Sequence, residues 1–214
     1  MKKLSPVLLI LFLCALGCNM SSIKSLIPGA SGGKGTATGG SDPKADVVEA
    51  SKKFLALPFF TANMEGMGQT EIKSQVQFSA PDSFHIKYLG GTGAGMEMVY
   101  IGKNGYLKSG DKWTKMEQIG SIPNLRDSFT EEGLKSLSDV KYEGEDTLDG
   151  KSMSVYSYKN VTPVGAYPFT CKIWVNSSTG APAKIHAEYT NGMLKYMDIN
   201  YDTETPVKIE APTS

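Results

Sequence analysis

The chain is poor in the residues that build catalytic and metal sites. Its 214 residues include three cysteines, two histidines and two tryptophans. Cys14 and Cys18 sit in the N-terminal apolar stretch, so the rest of the chain has Cys171 alone. A single thiol closes no internal disulfide, and no C-x-x-C spacing is present for zinc or redox chemistry. Neither H-E-x-x-H nor G-x-S-x-G occurs. His85 and His186 fall on the polar phase of alternating runs, beside Lys87 and Lys184, and read as exposed strand histidines. GGTGAG at 90–95 leads into another alternating run, MEMVYI, and lacks a following Lys-Ser/Thr, so it reads as a hairpin loop and not a phosphate cradle. Glu131-Glu132 and the Glu143, Glu145, Asp146 group lack calcium-loop spacing. Basic and acidic residues balance at 22 each, without a basic block, which argues against nucleic acid as a partner. No catalytic residue, metal site or cofactor is expected.

A long apolar run is also missing. The longest, between Val7 and Leu16, is about half the ~20 residues a membrane-spanning helix needs. Lys2 and Lys3 precede it and the small Gly17 follows, which is the order of an export signal over residues 1–17. A short membrane anchor and an ordinary cleaved secretory signal are the alternatives. Ala15-Leu16-Gly17-Cys18 resembles the lipobox of bacterial lipoproteins, with Ala15 where that pattern prefers Leu. The resemblance implies that Cys18 becomes the mature N-terminus, carrying a diacylglyceryl group on sulfur and a further acyl chain on its amine. Each buried methylene is worth ~0.8 kcal/mol, so two or three chains hold a protein at a membrane where one does not. Asn19 after the cysteine, in place of Asp, leans toward the outer membrane if the organism has one. Residues 18–44 supply the lipidated cysteine and a Gly/Ser/Thr-rich tether that cannot bury enough surface to fold alone. Its typical reach as a coil is about 25–30 Å.

From residue 45 to 214 the chain reads as one folded domain. Ser41 is the expected N-cap of an amphipathic helix in which Val47, Val48, Ala50, Ser51, Phe54 and Leu55 recur at helical spacing, ending near Leu57 before Pro58. Beyond Phe59 the period changes to two. TEIKSQVQF, SFHIKYL and GMEMVYIGKNGYLKSGDKWTKM alternate apolar with polar residues and are punctuated by turn signals. IPNLRDSFTEEGLKSLSD interrupts them with Leu125, Phe129, Leu134 and Leu137, and predicts one or two short helices starting at Thr130-Glu131-Glu132. VKYEGEDTL, SMSVYSYKN, AYPFTCKIWVN, APAKIHAEYT and MLKYMDINYD then resume the strand pattern, the last two joined by Asn191-Gly192. The prediction is a mainly β (α+β) domain: about five strands, a helical insert and about five more, in one curled antiparallel sheet packed with helices.

This order of elements resembles the LolA/LolB lipoprotein-carrier superfamily and the related LppX/LprG lipoproteins. The resemblance rests on the first helix, FSAPDSFHIKY, VYIGKNGYLKSGDKWTKM, CKIWVNSSTGAPAKIHAE and VKIEAP, over roughly residues 45–212. It implies an unclosed β half-barrel covered by helices, with acyl chains held between sheet and helix. Lipid or acyl ligands, the membrane and an envelope protein are then the partners to consider.

Methionines 64, 67, 96, 98, 116, 153, 193 and 197 are numerous for a small domain, and flexible thioethers suit adaptable apolar surfaces. Phe84, Ile86, Tyr88, Met96, Met98, Tyr100, Phe169 and Ile173 are the candidate ligand-binding residues, with plain core packing as the alternative. Trp174 falls on the strand face opposite Phe169 and Ile173. Cys171, on the same face as Ile173, reads as a buried structural cysteine. Two functions fit: a membrane-anchored lipoprotein that binds acyl chains in an apolar cavity, or a scaffold lipoprotein that recruits an envelope protein.

Overall fold

A computed structural model describes residues 42–91, 93–116, 126–161, 167–192 and 194–213. The signal segment, Cys18, Ser41, Leu125 and Met193 lie outside the described residues. Helix α1 spans Pro43–Leu55. Its N-cap is Asp42, one residue later than expected, whose carboxylate accepts from the Lys44 and Ala45 backbone N–H groups at 3.1 Å each. Pro43 follows at the first helical position, where its missing N–H costs nothing. Val47, Ala50, Ser51 and Phe54 form the buried face, and Val48 and Leu55 flank it.

Eleven strands follow: β1 (Phe59–Gly68), β2 (Glu71–Ser79), β3 (Ser83–Gly91), β4 (Glu97–Ile101), β5 (Asn104–Ser109), β6 (Lys112–Met116), β7 (Ser138–Leu148), β8 (Lys151–Val161), β9 (Pro168–Asn176), β10 (Pro182–Tyr189) and β11 (Leu194–Asp202). They make one antiparallel sheet in the order β6-β5-β4-β3-β2-β1-β11-β10-β9-β8-β7. Strands β6 and β7 each have one neighbour in this order, so the sheet is not closed into a barrel. Two runs of sequential hairpins meet where β1 pairs with β11, from Thr61↔Asp202 to Met67↔Tyr196. The first run has six strands where about five were expected. The extra strand is β1, FFTANMEGMG, whose small inward residues Ala62 and Gly66 dilute the apolar alternation.

The helical insert is the main departure from expectation. Among the described residues of the insert, which start at Arg126, a 3-10 turn at Asp127–Phe129 is followed by further turns where a helix from Thr130 was expected. Thr130 Oγ1 accepts from the Gly133 N–H at 3.1 Å, as a helix-starting residue would. The chain then turns too tightly to continue: a Cβ at Gly133 would lie 2.3 Å from the Asp127 carbonyl oxygen. Of the GGTGAG stretch, Gly90 and Gly91 end β3 and residues 93–95 lie in the β3–β4 connection, with Gly91 at φ +72 and its hydrogen-only side chain against the Glu71 carbonyl.

Alternating directions give the sheet two ends. The β1–β2, β3–β4, β5–β6, β8–β9 and β10–β11 connections lie at one, called the lower end, and the β2–β3, β4–β5, β7–β8 and β9–β10 connections at the upper end. Helix α1 runs from lower to upper across one face. Lys44 Nζ donates to the carbonyl of Leu137, just before β7 starts, at 3.2 Å. At the other terminus Lys53 sits against Gly180 in the β9–β10 turn. The Phe54 ring lies 4.9 Å from Phe60, 4.9 Å from Tyr201 and 4.3 Å from Phe129, which closes the core at the upper end.

Candidate ligand-binding face

The face under α1 is apolar because the strands alternate. Register carries that alternation across the sheet. One inward row runs Phe60, Phe78, Phe84, Tyr100 from β1 to β4, with adjacent phenylalanine rings 5.2 and 5.1 Å apart. A second runs Ala62, Val76, Ile86, Met98, Leu107 from β1 to β5. A third crosses both halves: Tyr142, Tyr156, Ile173, Ile185, Ile199, Met64, Ser74, Tyr88. None of these three rows contains an ionisable acid or base other than tyrosine.

The eight candidate residues fall in two groups. Phe84, Ile86, Met98 and Tyr100 are buried on β3 and β4, as direct cross-strand pairs Phe84↔Tyr100 and Ile86↔Met98. Tyr88 is half-buried on β3, and Met96 is half-buried in the connection before β4. Ile173 is fully buried on β9, and Phe169 is half-buried there beside Tyr189, ring centroids 5.7 Å apart. Four strands separate β3 from β9, about 24 Å at the usual strand spacing. The groups therefore flank the inward face and do not touch as one patch. Of the residues between them, Met64 on β1 and Met197 on β11 were noted from sequence only among the methionines, and Gly66 on β1, Ile199 and Tyr201 on β11, and Ile185 and Ala187 on β10 were not singled out. Their individual strand patterns were visible, but the β1–β11 junction that makes them neighbours is not a local signal.

The cover is held at named points. Tyr156 OH donates to Asp46 Oδ2 of α1 at 3.0 Å. Asn160, buried on β8, donates to the Gly133 carbonyl at 2.9 Å and accepts from Ser136 Oγ at 2.6 Å, which pins the insert to the sheet. Arg126 donates to the Leu55 carbonyl and stands over the Phe78 ring, 4.5 Å from its centroid. A cation there faces the helix C-terminus, where the backbone dipole favours it. Burial lowers the Arg126 pKa and raises that of neighbouring Asp127.

Toward the lower end the inward face is less tightly covered. Ile72, Tyr88, Phe169, Tyr189 and Met197 are all half-buried there. In the same cross-strand row as Met197 and Ile72, Cys171 on β9 pairs with Tyr158 on β8. Burial pushes the Cys171 thiol up to about 12, only partly offset by its hydrogen bond with Tyr158, so it rests as a neutral thiol. Burial likewise raises the Tyr158 and Tyr201 phenols, and Tyr189 to about 12. This thiol and these phenols are therefore neutral at neutral pH, in an apolar surround. Two surface concavities of about 370 and 390 Å³ lie elsewhere, at the upper end around Lys151, Asn176 and Ser177, and around Met153, Pro182 and Asp202.

The opposite face is polar and internally paired. Gln75 donates to Asn63 at 3.0 Å. Trp174 donates to Asp146 at 2.9 Å, with the Lys172 and Lys184 ammoniums 5.0 and 5.1 Å from its ring centroid, and it is on the face opposite Ile173 as expected. His85 and His186 are also on this face, but neither is merely solvated. His85 meets Glu97 at 3.1 Å, and His186 meets Asp198 at 2.9 Å. Among the described residues no group of three or more His, Cys, Asp or Glu side chains could hold a metal ion.

The described residues form an open antiparallel sheet with a helix laid across its apolar face, and this fold is shared with solved bacterial lipoproteins. Among solved structures, it is similar to the Mycobacterium tuberculosis lipoprotein LppX, with 15% identity over 78% of this chain and 98% of that one, at a TM-score of 0.59. LprF from Mycobacterium bovis is similar at 12% identity, over 80% of this chain and 97% of that one, with a TM-score of 0.58. MucB is similar at 14% identity over 81% of this chain, with a TM-score of 0.50, and the match spans 64% of MucB. No family model matches the sequence, and no curated protein matches it.

Proposed function

We infer that this chain is a non-enzymatic, lipid-anchored protein of the bacterial cell envelope that binds acyl chains along the inward face of its sheet. The observation that carries this reading is the inward face itself. It is apolar and, in its three central rows, free of charged groups across the sheet, and among the described residues several of its large side chains toward the lower end are only half-buried. The half-buried residues at the lower end, Tyr88, Phe169, Tyr189 and Met197, are where an acyl chain would enter. Ile86, Met98 and Ile173 would line its deeper course as core side chains shift. Burial of apolar surface, at about 25 cal/mol per Å², is the driving force, and no chemistry is required. Cys18 provides the anchor, after removal of residues 1–17, with the outer membrane facing the periplasm as its location in an organism that has one.

The test is native mass spectrometry of the chain from residue 19, purified gently from a bacterial envelope fraction. The expected result is co-purified phospholipid or another acylated molecule, diminished by Phe169→Lys and by Ile86→Trp with Met98→Trp. Circular dichroism of each variant checks that the fold is kept. A bare protein mass, with no uptake of added fatty-acyl probes, would remove acyl binding and leave recruitment of an envelope protein as the function to pursue.

A further inference from the structure

The large apolar residues left exposed are not scattered. Met67 is 41% exposed, Leu89 53%, Tyr167 46% and Tyr196 38%. Met67 ends β1, Leu89 lies near the end of β3, Tyr167 immediately precedes β9, and Tyr196 lies near the start of β11. All four therefore sit at the lower end of the sheet. Met67 and Tyr196 are direct cross-strand partners, and Tyr167 packs near Gly192 in the β10–β11 turn. None of the exposed large hydrophobics among the described residues is at the upper end, where the turns carry Asp82, Lys103, Asp149, Lys151 and Glu204.

The helix supplies a second, independent observation. Its N-terminus lies at the lower end, fixed by Lys44 on the Leu137 carbonyl. Residues 19–41 precede the Asp42 cap, so the chain that leads to Cys18 leaves the domain from the end that carries the exposed apolar residues.

We propose that the lower end, through Met67, Leu89, Tyr167 and Tyr196, docks on the surface of a lipid bilayer. Aliphatic side chains with tyrosines around them suit the boundary between acyl chains and headgroups, where an aromatic ring is buried and its hydroxyl stays wet. The tether then has a defined purpose. It holds the domain within about 25–30 Å of the membrane, so a weak surface contact becomes a frequent one. The same orientation brings the half-buried entrance at Tyr88, Phe169 and Tyr189 to the bilayer, where acyl chains are found. The proposal deepens the acyl-binding reading, and its tether argument rests on the anchor at Cys18.

The experiment uses the chain from residue 19, which carries no acyl anchor and has Cys171, buried, as its one native thiol. Cosedimentation with phosphatidylcholine/phosphatidylglycerol vesicles measures partitioning without the anchor. Met67→Asp combined with Leu89→Asp is expected to reduce it at least tenfold while leaving the thermal midpoint unchanged, since both sites are exposed. An environment-sensitive dye on Leu89→Cys is expected to shift blue on vesicles, and the same dye on Lys103→Cys at the upper end is not. Equal partitioning of the double variant, a shift at both ends, or no partitioning of the parent chain would overturn the proposal. Self-association through these residues in place of vesicle binding would overturn it as well. The intact mass of full-length chain from membranes separately reports whether Cys18 is acylated. Loss of the anchor and loss of the docking end, or of acyl binding in the mass experiment, are thus told apart.

Discussion

His85 and His186 sit on the same polar face, yet their environments act in opposite directions. His186 is pushed down by burial, but Asp198 and Glu188 outweigh that and hold its pKa above the ordinary histidine value. His85 is held below it chiefly by burial, which with smaller contributions from Lys87 and Lys108 outweighs its hydrogen bond and attraction to Glu97. Glu97 is itself kept ionised mainly by Lys108, 3.0 Å away, so His85 donates to it as a neutral ring. The His186 contribution is complete below the unfolded pKa of about 6.5 and is lost as pH rises through its higher folded value. The His85 contribution is present above about 6.5 and is lost as pH falls through its lower folded value. Thermal midpoints measured across pH 5 to 8 should therefore separate the two. His186→Gln is expected to cost more at the acidic end, and His85→Gln to make the chain less sensitive to acid. Cys171 offers a simpler check. A thiol raised to about 12 and buried on β9 should resist maleimide in the native chain from residue 19 and react fully after unfolding.

Helix α1 contributes to stability chiefly through one side chain. Phe54 is fully buried and touches the rings of Phe60, Phe129 and Tyr201, from β1, the insert and β11. Phe54→Ala should cost about 3–5 kcal/mol in denaturant unfolding, as large-to-small changes in aromatic cores do. Asp42→Ala, which removes the cap at an exposed terminus, should cost about 1 kcal/mol. A larger loss there would mean that the cap also positions Lys44 on Leu137. Among the strands, Ile173 on β9 has no exposed surface, and Ile173→Ala should cost about 2–5 kcal/mol. The insert shows why local pattern misled. Leu134 and Leu137 are three residues apart, as on a helix, but their apolar contacts and those of Phe129 are made from turns, with Gly133 in a place that admits no side chain.

One core runs from β4 to β8 with no break at the β1–β11 junction, and Leu107 on β5, Met116 on β6 and Tyr142 on β7 pack against it. The two tryptophans report on opposite halves, Trp113 on β6 and Trp174 on β9. Unfolding followed by fluorescence in Trp113→Phe and Trp174→Phe variants should therefore give coincident midpoints. A lower midpoint when Trp113 is the reporter would show that the β4–β6 end opens first, as five- and six-residue strands at a sheet edge would allow.

Period-two alternation and turn residues were enough to place ten of the strands and the helix within a few residues, because each depends on contacts inside a hairpin or a single helix. They also decided which side chains face inward, since parity along a strand is a property of the chain. The same local logic could not find β1 as a separate strand, the collapse of the insert into turns, or the split of the eight candidate residues between β3–β4 and β9. β1 was hidden because Ala62 and Gly66 dilute its alternation, and the insert turned on the close fit at Gly133; how far apart the two groups of candidates lie depends on β1 meeting β11 more than a hundred residues later, an encounter governed by long-range packing. That junction also decides that Met67 and Tyr196 become neighbours. Alternation determined which residues are apolar and inward. Only the folded sheet decided which of them meet, which lie under the helix, and which stay half-open at one end.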